Sequence, residues 1–222
     1  MKHLLAAGAT VALLMAGSAH AHDSKHADRD VISDYDFAGF DSITIEGVYL
    51  LDVREGDTFS IRTEATEEDA KWQDVTLKGR TLSLGMKKSK SKRWTKNNNS
   101  NGVRAIITMP RLIDLEVAGV ATGTISAFTG GNIDIDIAGV SELTLSGTCD
   151  HLDIDMAGVG EVDAEALKCD DVDADLGGVG TLSVYAANRI DASAGGLGSI
   201  EVYGDPEHRD IDDGFMSKVK IR

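Results

Sequence analysis

The sequence predicts an all-β fold, a right-handed parallel β-helix in which short strands coil around one apolar core in a single domain. Three observations predict it. A glycine returns every 18 to 20 residues in the C-terminal half, apolar and polar residues alternate on both sides of it, and the same pattern recurs in each copy. A fixed period with β-type alternation is typical of a stacked solenoid. The repeated glycines are Gly119, Gly139, Gly158, Gly178 and Gly196.

Each copy of the repeat contains two predicted strands with the glycine between them. Ile135 and Ile137 precede Gly139 at a spacing of two, which predicts a strand with one buried face. The residue after each glycine is apolar, and a second alternation then points Leu143 and Leu145 inward. Because glycine lacks a Cβ, it lets the chain bend and lets the coils stack closely at this corner. An antiparallel β-sandwich is the alternative, but it does not explain like residues recurring at one period.

The N-terminal half repeats the pattern less regularly. Residues 43–48 read as a first copy, with its corner at Gly47, which lies 72 residues before Gly119. Without the polar insertion at 86–102, the remaining 55 residues fit three coils of about 18. We therefore expect one continuous solenoid, with Pro110 at the entry into its regular part. The strands expected to supply the three coils are 59–63, 75–77, 81–84 and 103–108.

The first 21 residues are predicted to be a signal peptide. An apolar run over residues 4–17 is too short to span a bilayer comfortably, and Ala19-His20-Ala21 has the small-x-small pattern of a cleavage site. A retained membrane anchor is the alternative. Residues 22–36 are then expected to form a flexible leader and residues 37–222 the β-helical domain. This organisation predicts an exported protein.

The charge of the chain excludes some classes of partner. The formal net charge is −15, which opposes nucleic acids and anionic membranes, because both bind proteins through lysine and arginine. Such a charge favours cations, basic partners or simple solubility. No apolar stretch after the predicted signal peptide approaches membrane-spanning length.

Three segments carry a family resemblance: the opening segment 40–48, the repeated apolar-Ala-Gly-Val-Gly corners, and Tyr203-Gly204-Asp205-Pro206. They resemble the putative auto-transporter adhesins with a head GIN domain, a family of exported bacterial proteins of unknown function. The resemblance covers residues 37–222. It implies a β-helical fold in the periplasm or at the cell surface of a bacterium and a role in adhesion. It brings no established ligand or binding residue to this chain.

Aspartates form two outward columns, five and three residues before the corner glycines. Like charges on neighbouring strands destabilise a sheet, so either some carboxyl pKa values are raised or a hard divalent cation such as calcium bridges the carboxylates. The alternative is a solvated acidic face that blocks sheet aggregation. The candidate calcium ligands are Asp134, Asp136, Asp153, Asp155, Asp173 and Asp175.

The two cysteines occupy the same position in adjacent copies. Cys149 and Cys169 each lie nine residues before a corner glycine, so stacked strands would bring them within the range of a disulfide. Exported proteins meet oxidising conditions. We therefore expect a disulfide between adjacent coils, with two unpaired stacked thiols as the alternative.

The insertion carries a cluster of positive charge that contrasts with the acidic remainder. As an exposed polar loop containing a tryptophan, it is a candidate binding loop for an anionic polysaccharide or a lipid headgroup. The alternative is a disordered excursion, docking on the acidic columns. Its candidate residues are Lys87, Lys88, Lys90, Lys92, Arg93, Trp94 and Lys96.

No pattern of serine, histidine and acid indicates catalysis. Tyr185 and Tyr203 share a position seven residues after their glycines, and they are expected to form a stack at a corner or a platform for a sugar. The sequence thus predicts a non-enzymatic exported protein that presents a surface for adhesion or for binding an envelope component or polysaccharide. A calcium-dependent scaffold is the second hypothesis, and a carbohydrate-active enzyme is the third. No other cofactor and no nucleic-acid partner is expected.

Overall fold

The computed structural model describes residues 29–87 and 102–222. Over these ranges the chain forms sixteen strands and one six-residue helix, α1 (Glu67–Trp72). No helix in the described ranges is long and apolar enough to cross a membrane. The strands are β1 (Val31–Tyr35), β2 (Ser42–Ile45), β3 (Val48–Glu55), β4 (Ser60–Ala65), β5 (Gln73–Lys78), β6 (Thr81–Met86), β7 (Val103–Met109), β8 (Asp114–Val117), β9 (Val120–Thr129), β10 (Asn132–Ile137), β11 (Val140–Met156), β12 (Val159–Leu176), β13 (Val179–Ala194), β14 (Leu197–Tyr203), β15 (His208–Asp213) and β16 (Ser217–Ile221).

The regular part, β8 to β14, is a parallel β-solenoid of about five turns, as predicted. Each coil pairs with the next at a shift of one repeat, so Ile135 stands beside Leu115 on one side and Ile154 on the other. All three side chains are fully buried. The inward columns of the successive coils therefore merge into one apolar core, and the antiparallel sandwich is excluded.

The corner glycines are required by the closeness of the coils. A Cβ on Gly139 would overlap the carbonyl oxygen of Gly119, and one on Gly158 would overlap that of Gly139. Each corner is also tied to the coil before it, because the Gly139 N–H donates to the carbonyl of Val117 at 2.9 Å. A second glycine column follows two residues later, at the last glycine of the Gly-Val-Gly corners, to which the sequence analysis assigned no structural role. Gly180 in this column has φ +155°, and a side chain there would strike the backbone of Gly160.

The N-terminal half is not the run of three regular coils that the period predicted. Strands β6 and β7 make one coil, but it stacks outside the β2–β3 coil, and β8 and β9 stack on the opposite side of β2 and β3. Pro110 lies in the short segment from β7 to β8, as predicted. Gly47 and Gly119 are thus neighbours in the stack although they are 72 residues apart in the chain.

Two of the predicted strands instead close the end of the solenoid. Strand β4 pairs antiparallel with β7, and β5 pairs antiparallel with β6. Both therefore cover the outer edge of the terminal coil, where unpaired N–H and C=O groups would otherwise be exposed. The helix α1 joins them, and its N-cap Thr66 accepts a hydrogen bond from the Asp69 N–H at 3.1 Å.

Part of the expected flexible leader is ordered. Residues 31–35 form β1, which pairs antiparallel with β4. Their alternating side chains suit a strand, and Asp34 accepts a hydrogen bond from the Arg62 guanidinium at 2.8 Å on the neighbouring strand. The leader prediction is therefore wrong for these residues, because an uncovered edge was available to pair with them. The predicted signal peptide and the leader as far as residue 28 lie outside the described residues.

The predicted disulfide is present. Cys149 and Cys169 stand in register on β11 and β12, with their Cα atoms 4.4 Å apart. Both are buried. The bond joins adjacent coils at the second bend of the repeat, opposite the glycine corner, and it closes a loop of one full turn.

Candidate functional site

The two predicted acidic columns exist as expected. Register pairs Asp134 with Asp153 and Asp153 with Asp173 in one column, and Asp136 with Asp155 and Asp155 with Asp175 in the other. The pKa values of Asp153 and Asp155 are raised, first by partial burial and then by the neighbouring aspartates. Burial followed by the charge of Asp134 likewise raises the pKa of Asp114, at the start of the first column. These directions match the first remedy that the sequence analysis proposed.

The two columns differ in their counter-ions. In the column farther from the corner, Arg189 approaches Asp191 at 3.3 Å and Asp173 at 3.8 Å, and His151 lies 3.7 Å from Asp173. In the column next to the corner, no lysine or arginine of the described ranges pairs with Asp136, Asp155 or Asp175. The charge beside the corner is thus left uncompensated within the part of the chain that the structure describes.

No group of three or more histidine, cysteine, aspartate or glutamate residues in the described ranges is arranged to hold a metal ion. The aspartate columns run along the solenoid as lines, with the members on separate strands. Carboxylates in a line do not by themselves surround a cation with the six to eight oxygen ligands that calcium takes. Calcium binding by these columns stays a prediction.

The corner carries an exposed apolar column that we call the corner ridge. It consists of the residue that follows the corner in each coil, and strand register aligns its members from coil to coil. The side chains are 43–64% exposed, although each is large and apolar. The ridge residues are Val140, Val159, Val179, Leu197 and Met216, and the half-buried Val120 continues the column.

The concentration of apolar residues on this ridge is unusual. Among the described residues, eight large hydrophobic side chains are exposed, and five of them form the ridge. A sixth, the fully exposed Phe215, adjoins its last member. Only Ile32 and Ile211 lie elsewhere. Contiguous apolar surface of this kind marks interaction sites in soluble proteins, whereas scattered single residues do not.

Strand alternation explains why the ridge points outward. Leu143 and Leu145 face the core, so Ser141 also faces inward and Val140 faces solvent. The preceding positions, Ala138 and its equivalents in other coils, are small and exposed, which leaves the ridge side chains uncovered. The sequence analysis noted the apolar residue after each glycine but did not apply this parity to it.

Carboxylates flank the ridge on both sides. Four positions before the ridge residue and two positions after it, in every coil from β8 to β14, the side chain is acidic or carries a hydroxyl group. All six acids are exposed. We call these residues the acidic flanks: Glu116, Asp136, Asp155 and Asp175 before the corner, and Glu142 and Glu161 after it.

The basic insertion begins at the same corner of another coil. Since β6 pairs with β2 and β7 with β3, Met86 and Gly102, the described residues near the two ends of the insertion, lie beside the corner at Gly47 and Val48 in the neighbouring coil. Of the predicted loop residues, only Lys87 is described, and its Nζ donates to the carbonyl of Lys71 at 3.3 Å. The other predicted loop residues, from Lys88 to Lys96, lie outside the described residues.

A second surface feature, the second-bend furrow, lies on the opposite side of the coil. Two adjoining surface cavities of about 320 and 370 Å³ share Gly130 and Asp150. Arg111 lines the first cavity and Lys168 the second. The Lys168 ammonium stands 5.4 Å from the ring centre of Tyr185, which is in register with Tyr203 as predicted. The furrow thus offers acidic, basic and aromatic groups side by side.

The chain belongs to the family described as putative auto-transporter adhesin, head GIN domain, whose model matches residues 39–206. Its fold is similar to that of a putative adhesin from Bacteroides fragilis, with a TM-score of 0.67, 22% identity, and coverage of 86% of this chain and 96% of that one. It is also similar to that of a putative lipid binding protein from Parabacteroides distasonis, with a TM-score of 0.51, 19% identity, and the same coverage. At these identities the likeness concerns the fold alone. No protein with a curated description matches the chain significantly.

Proposed function

We propose that this head GIN family member is an exported, non-enzymatic protein that presents its lateral surface for adhesion to a cell-envelope component. The corner ridge carries the proposal. A soluble chain that exposes valine, leucine and methionine at one aligned position per coil keeps a contiguous apolar surface in water. Such a surface is retained where a partner covers it.

The regular spacing of the ridge favours an extended partner. Successive ridge residues are about 4.8 Å apart, the distance between neighbouring strands, so the ridge from Val140 to Met216 is about 19 Å long. Every coil offers a similar contact. A partner that runs along the solenoid axis can therefore gain a small contribution to its binding free energy from each coil.

The buried disulfide supports export. Structural disulfides form and persist in oxidising compartments and are rare in the cytosol. Cys149 and Cys169 are both buried and in register, which suits a structural bond. Export is also what the predicted signal peptide implies.

Polysaccharide binding is a second candidate, favoured by the second-bend furrow. Carboxylate and guanidinium groups form paired hydrogen bonds with neighbouring hydroxyl groups, and a tyrosine ring packs against the apolar face of a sugar. Asp150, Arg111 and Tyr185 would supply these groups. Replacing Tyr185 by alanine should then abolish retention on a polysaccharide that the wild-type protein binds.

Retention on bacterial envelopes tests the adhesive function of the ridge. The purified protein is incubated with isolated envelope fractions, and the bound share is measured after washing. The ridge variant Val140→Ser/Val159→Ser/Val179→Ser/Leu197→Ser should lose at least ten-fold in retention. The matched control Ile32→Ser/Ile211→Ser removes the two exposed apolar side chains that lie off the ridge, and it should retain wild-type binding. Equal retention of the wild type and the ridge variant would contradict the proposal.

A further inference from the structure

We propose that the partner on the corner ridge is an extended cationic protein segment that also carries large apolar side chains. This inference rests on the proposed function and names the chemistry of the partner at that same site. Apolar side chains of the segment would cover the ridge residues, and its lysines or arginines would pair with the acidic flanks. The argument depends on the composition of the flanks, their lack of counter-ions, and the cavity beside the ridge.

The flanks have one sign of charge. Val140 stands between Asp136 and Glu142, and Val159 stands between Asp155 and Glu161, four and two residues away in the sequence. All four carboxylates are exposed. A ligand that covers these ridge residues therefore meets negative charge on both sides, and complementary charge steers and orients such an encounter.

These carboxylates lack counter-ions in the described part of the chain, although Glu116 accepts a hydrogen bond from the Thr44 hydroxyl at 3.3 Å. Within residues 29–87 and 102–222, no lysine or arginine forms an ion pair with any acidic flank residue. Elsewhere in the same part of the chain, acids are neutralised, as when Arg222 pairs with Glu201 at 2.7 Å. The pKa of Asp155 is raised by burial and by Asp175 and Asp136, so an incoming cation would relieve repulsion that already exists.

A surface cavity of about 510 Å³ lies against the ridge and includes its carboxylates. Val140, Glu142 and Glu161 line it together with Ser141. Gly160 and Gly180, which stand in register with Ser141 in the next two coils, also line the cavity. Ser141 is only 2% exposed, and its Oγ has no hydrogen-bond partner in the described part of the chain. A lysine side chain of the partner entering this cavity would meet the carboxylates of Glu142 and Glu161, whereas the Ser141 hydroxyl faces the core and stays out of its reach.

The same charges weigh against two other occupants. An anionic lipid surface would be repelled by the six flank carboxylates. A second copy of this chain, ridge against ridge, would place like flanks opposite each other, which destabilises an interface. A cationic protein segment satisfies both the apolar ridge and its flanks.

A synthetic peptide of residues 86–102 serves as the probe, because it contains six lysine or arginine residues, one tryptophan and one methionine. Fluorescence anisotropy in low salt measures binding of this peptide to the protein without its predicted signal peptide, residues 22–222. We expect binding that weakens at least ten-fold in Asp136→Asn/Asp155→Asn/Asp175→Asn and in Val159→Ser/Val179→Ser, and that decreases with salt. The control Ile32→Ser/Ile211→Ser should bind as the wild type does. A peptide with glutamate at all six basic positions should not bind.

Several outcomes would overturn the inference. They are absence of binding, equal binding by all variants, or stronger retention of the protein on phosphatidylglycerol vesicles than on immobilised peptide. The peptide could also bind only to a variant in which a glycine-serine linker replaces residues 88–101. That result would mean that the chain's own segment, and not a partner, occupies the ridge. If the peptide fails while envelope retention still depends on the ridge, the partner class is wrong and the proposed adhesive function stands.

Discussion

The regular coils and the N-terminal end of this protein are built from similar strands but differ in how those strands pair. From β8 to β14, every strand has parallel neighbours and each coil repeats the one before it. From β1 to β7, antiparallel strands lie against the last parallel coil. Parallel pairing in the first region always leaves an edge on which another coil could stack. In the second region, antiparallel strands cover that edge and end the stack. The corner ridge runs along the first region and ends at Met216, between β15 and β16.

The two regions also differ in the direction in which their surroundings shift the pKa values of aspartates. At the N-terminal end, hydrogen bonds from arginine lower the pKa values of Asp34 and Asp41. In the regular coils, burial and neighbouring aspartates raise the pKa values of Asp153 and Asp155. Charges thus stabilise the closing end, whereas the stacked aspartates of the repeated part repel one another. At the far end of the repeated part, a hydrogen bond from Arg222 lowers the pKa of Glu201.

The largest expected effect concerns the corner of the regular coils. Gly158→Ala places a Cβ on the backbone of Gly139, and we expect a loss of at least about 3 kcal/mol in unfolding free energy. The adjacent-coil control Gly177→Ala meets no atom within 4 Å, and it should stabilise by about 0.4–1 kcal/mol. Urea unfolding measures both. If Gly158→Ala yields too little folded protein to measure, that result also supports the prediction. Equal stability of Gly158→Ala and Gly177→Ala would contradict the close stacking.

Removal of the disulfide should have the next largest effect. Cys149→Ala/Cys169→Ala opens a loop of 20 residues, and the expected loss is about 3 kcal/mol. Urea unfolding with and without a reductant checks this. The reduced wild type and the variant should unfold at similar urea concentrations. If reductant leaves the wild type unchanged under conditions that free both thiols, the bond does not hold the coils together.

Opposite pH dependences should distinguish the two regions. At pH 7, Asp41→Asn should destabilise by about 1 kcal/mol, because Arg80 loses a charged partner, and Asp155→Asn should stabilise by up to about 1 kcal/mol, because a repulsion is removed.

The signs follow from linkage. The stability from Asp41, whose folded pKa is lowered, is present above the unfolded value of 3.8 and is lost as the pH falls through the folded pKa. For Asp155, whose folded pKa is raised, stability is greatest below 3.8 and is lost as the pH rises through the folded pKa. Thermal unfolding from pH 3 to pH 7 measures both, and shifts of the same sign would contradict the contrast.

The ridge, which we propose as the binding surface, should contribute little to stability. Val159→Ser/Val179→Ser replaces side chains that are about half exposed, so the change in unfolding free energy should stay within about 0.5 kcal/mol. Thermal unfolding checks this. A much larger loss would indicate that these side chains stabilise the fold, and the ridge would then no longer be free for a partner.

Calcium should have the smallest effect. The aspartate columns are lines of carboxylates on separate strands, so calcium should raise the thermal midpoint no more than magnesium at equal concentration. Differential scanning calorimetry in calcium, magnesium and chelator measures it. A calcium-specific rise of about 5 to 10 °C, which corresponds to saturating a tight site, would instead make the columns a cation site and support the scaffold hypothesis.

The sequence was most informative where structure repeats at a fixed spacing. The corners at Gly139 and Gly158, the inward columns and the Cys149–Cys169 bond follow from alternation and from the period, because each depends on residues one coil apart. These features are local in the stack. Their prediction needs no knowledge of how distant segments meet.

The order of the stack could not be obtained in this way. The distance from Gly47 to Gly119 fits three coils in length, yet it contains one coil, a helix and two antiparallel strands. Length alone does not distinguish a further coil from a strand that turns back to close an edge. The exposure of Val140, by contrast, could have been predicted from the sequence. Leu143 and Leu145 face the core, so strand alternation places Val140 on the opposite, solvent-facing side.

Footprinting of the bound protein tests the central claim most directly. Carbene labelling with mass spectrometry compares the free protein with the protein retained on envelope fractions. The account predicts protection at the ridge segments 138–142, 157–161, 177–181 and 195–199, with labelling unchanged at β1, β4 and the second-bend furrow. Protection of Tyr185 and Arg111 with a fully labelled ridge would contradict it and would assign binding to the furrow.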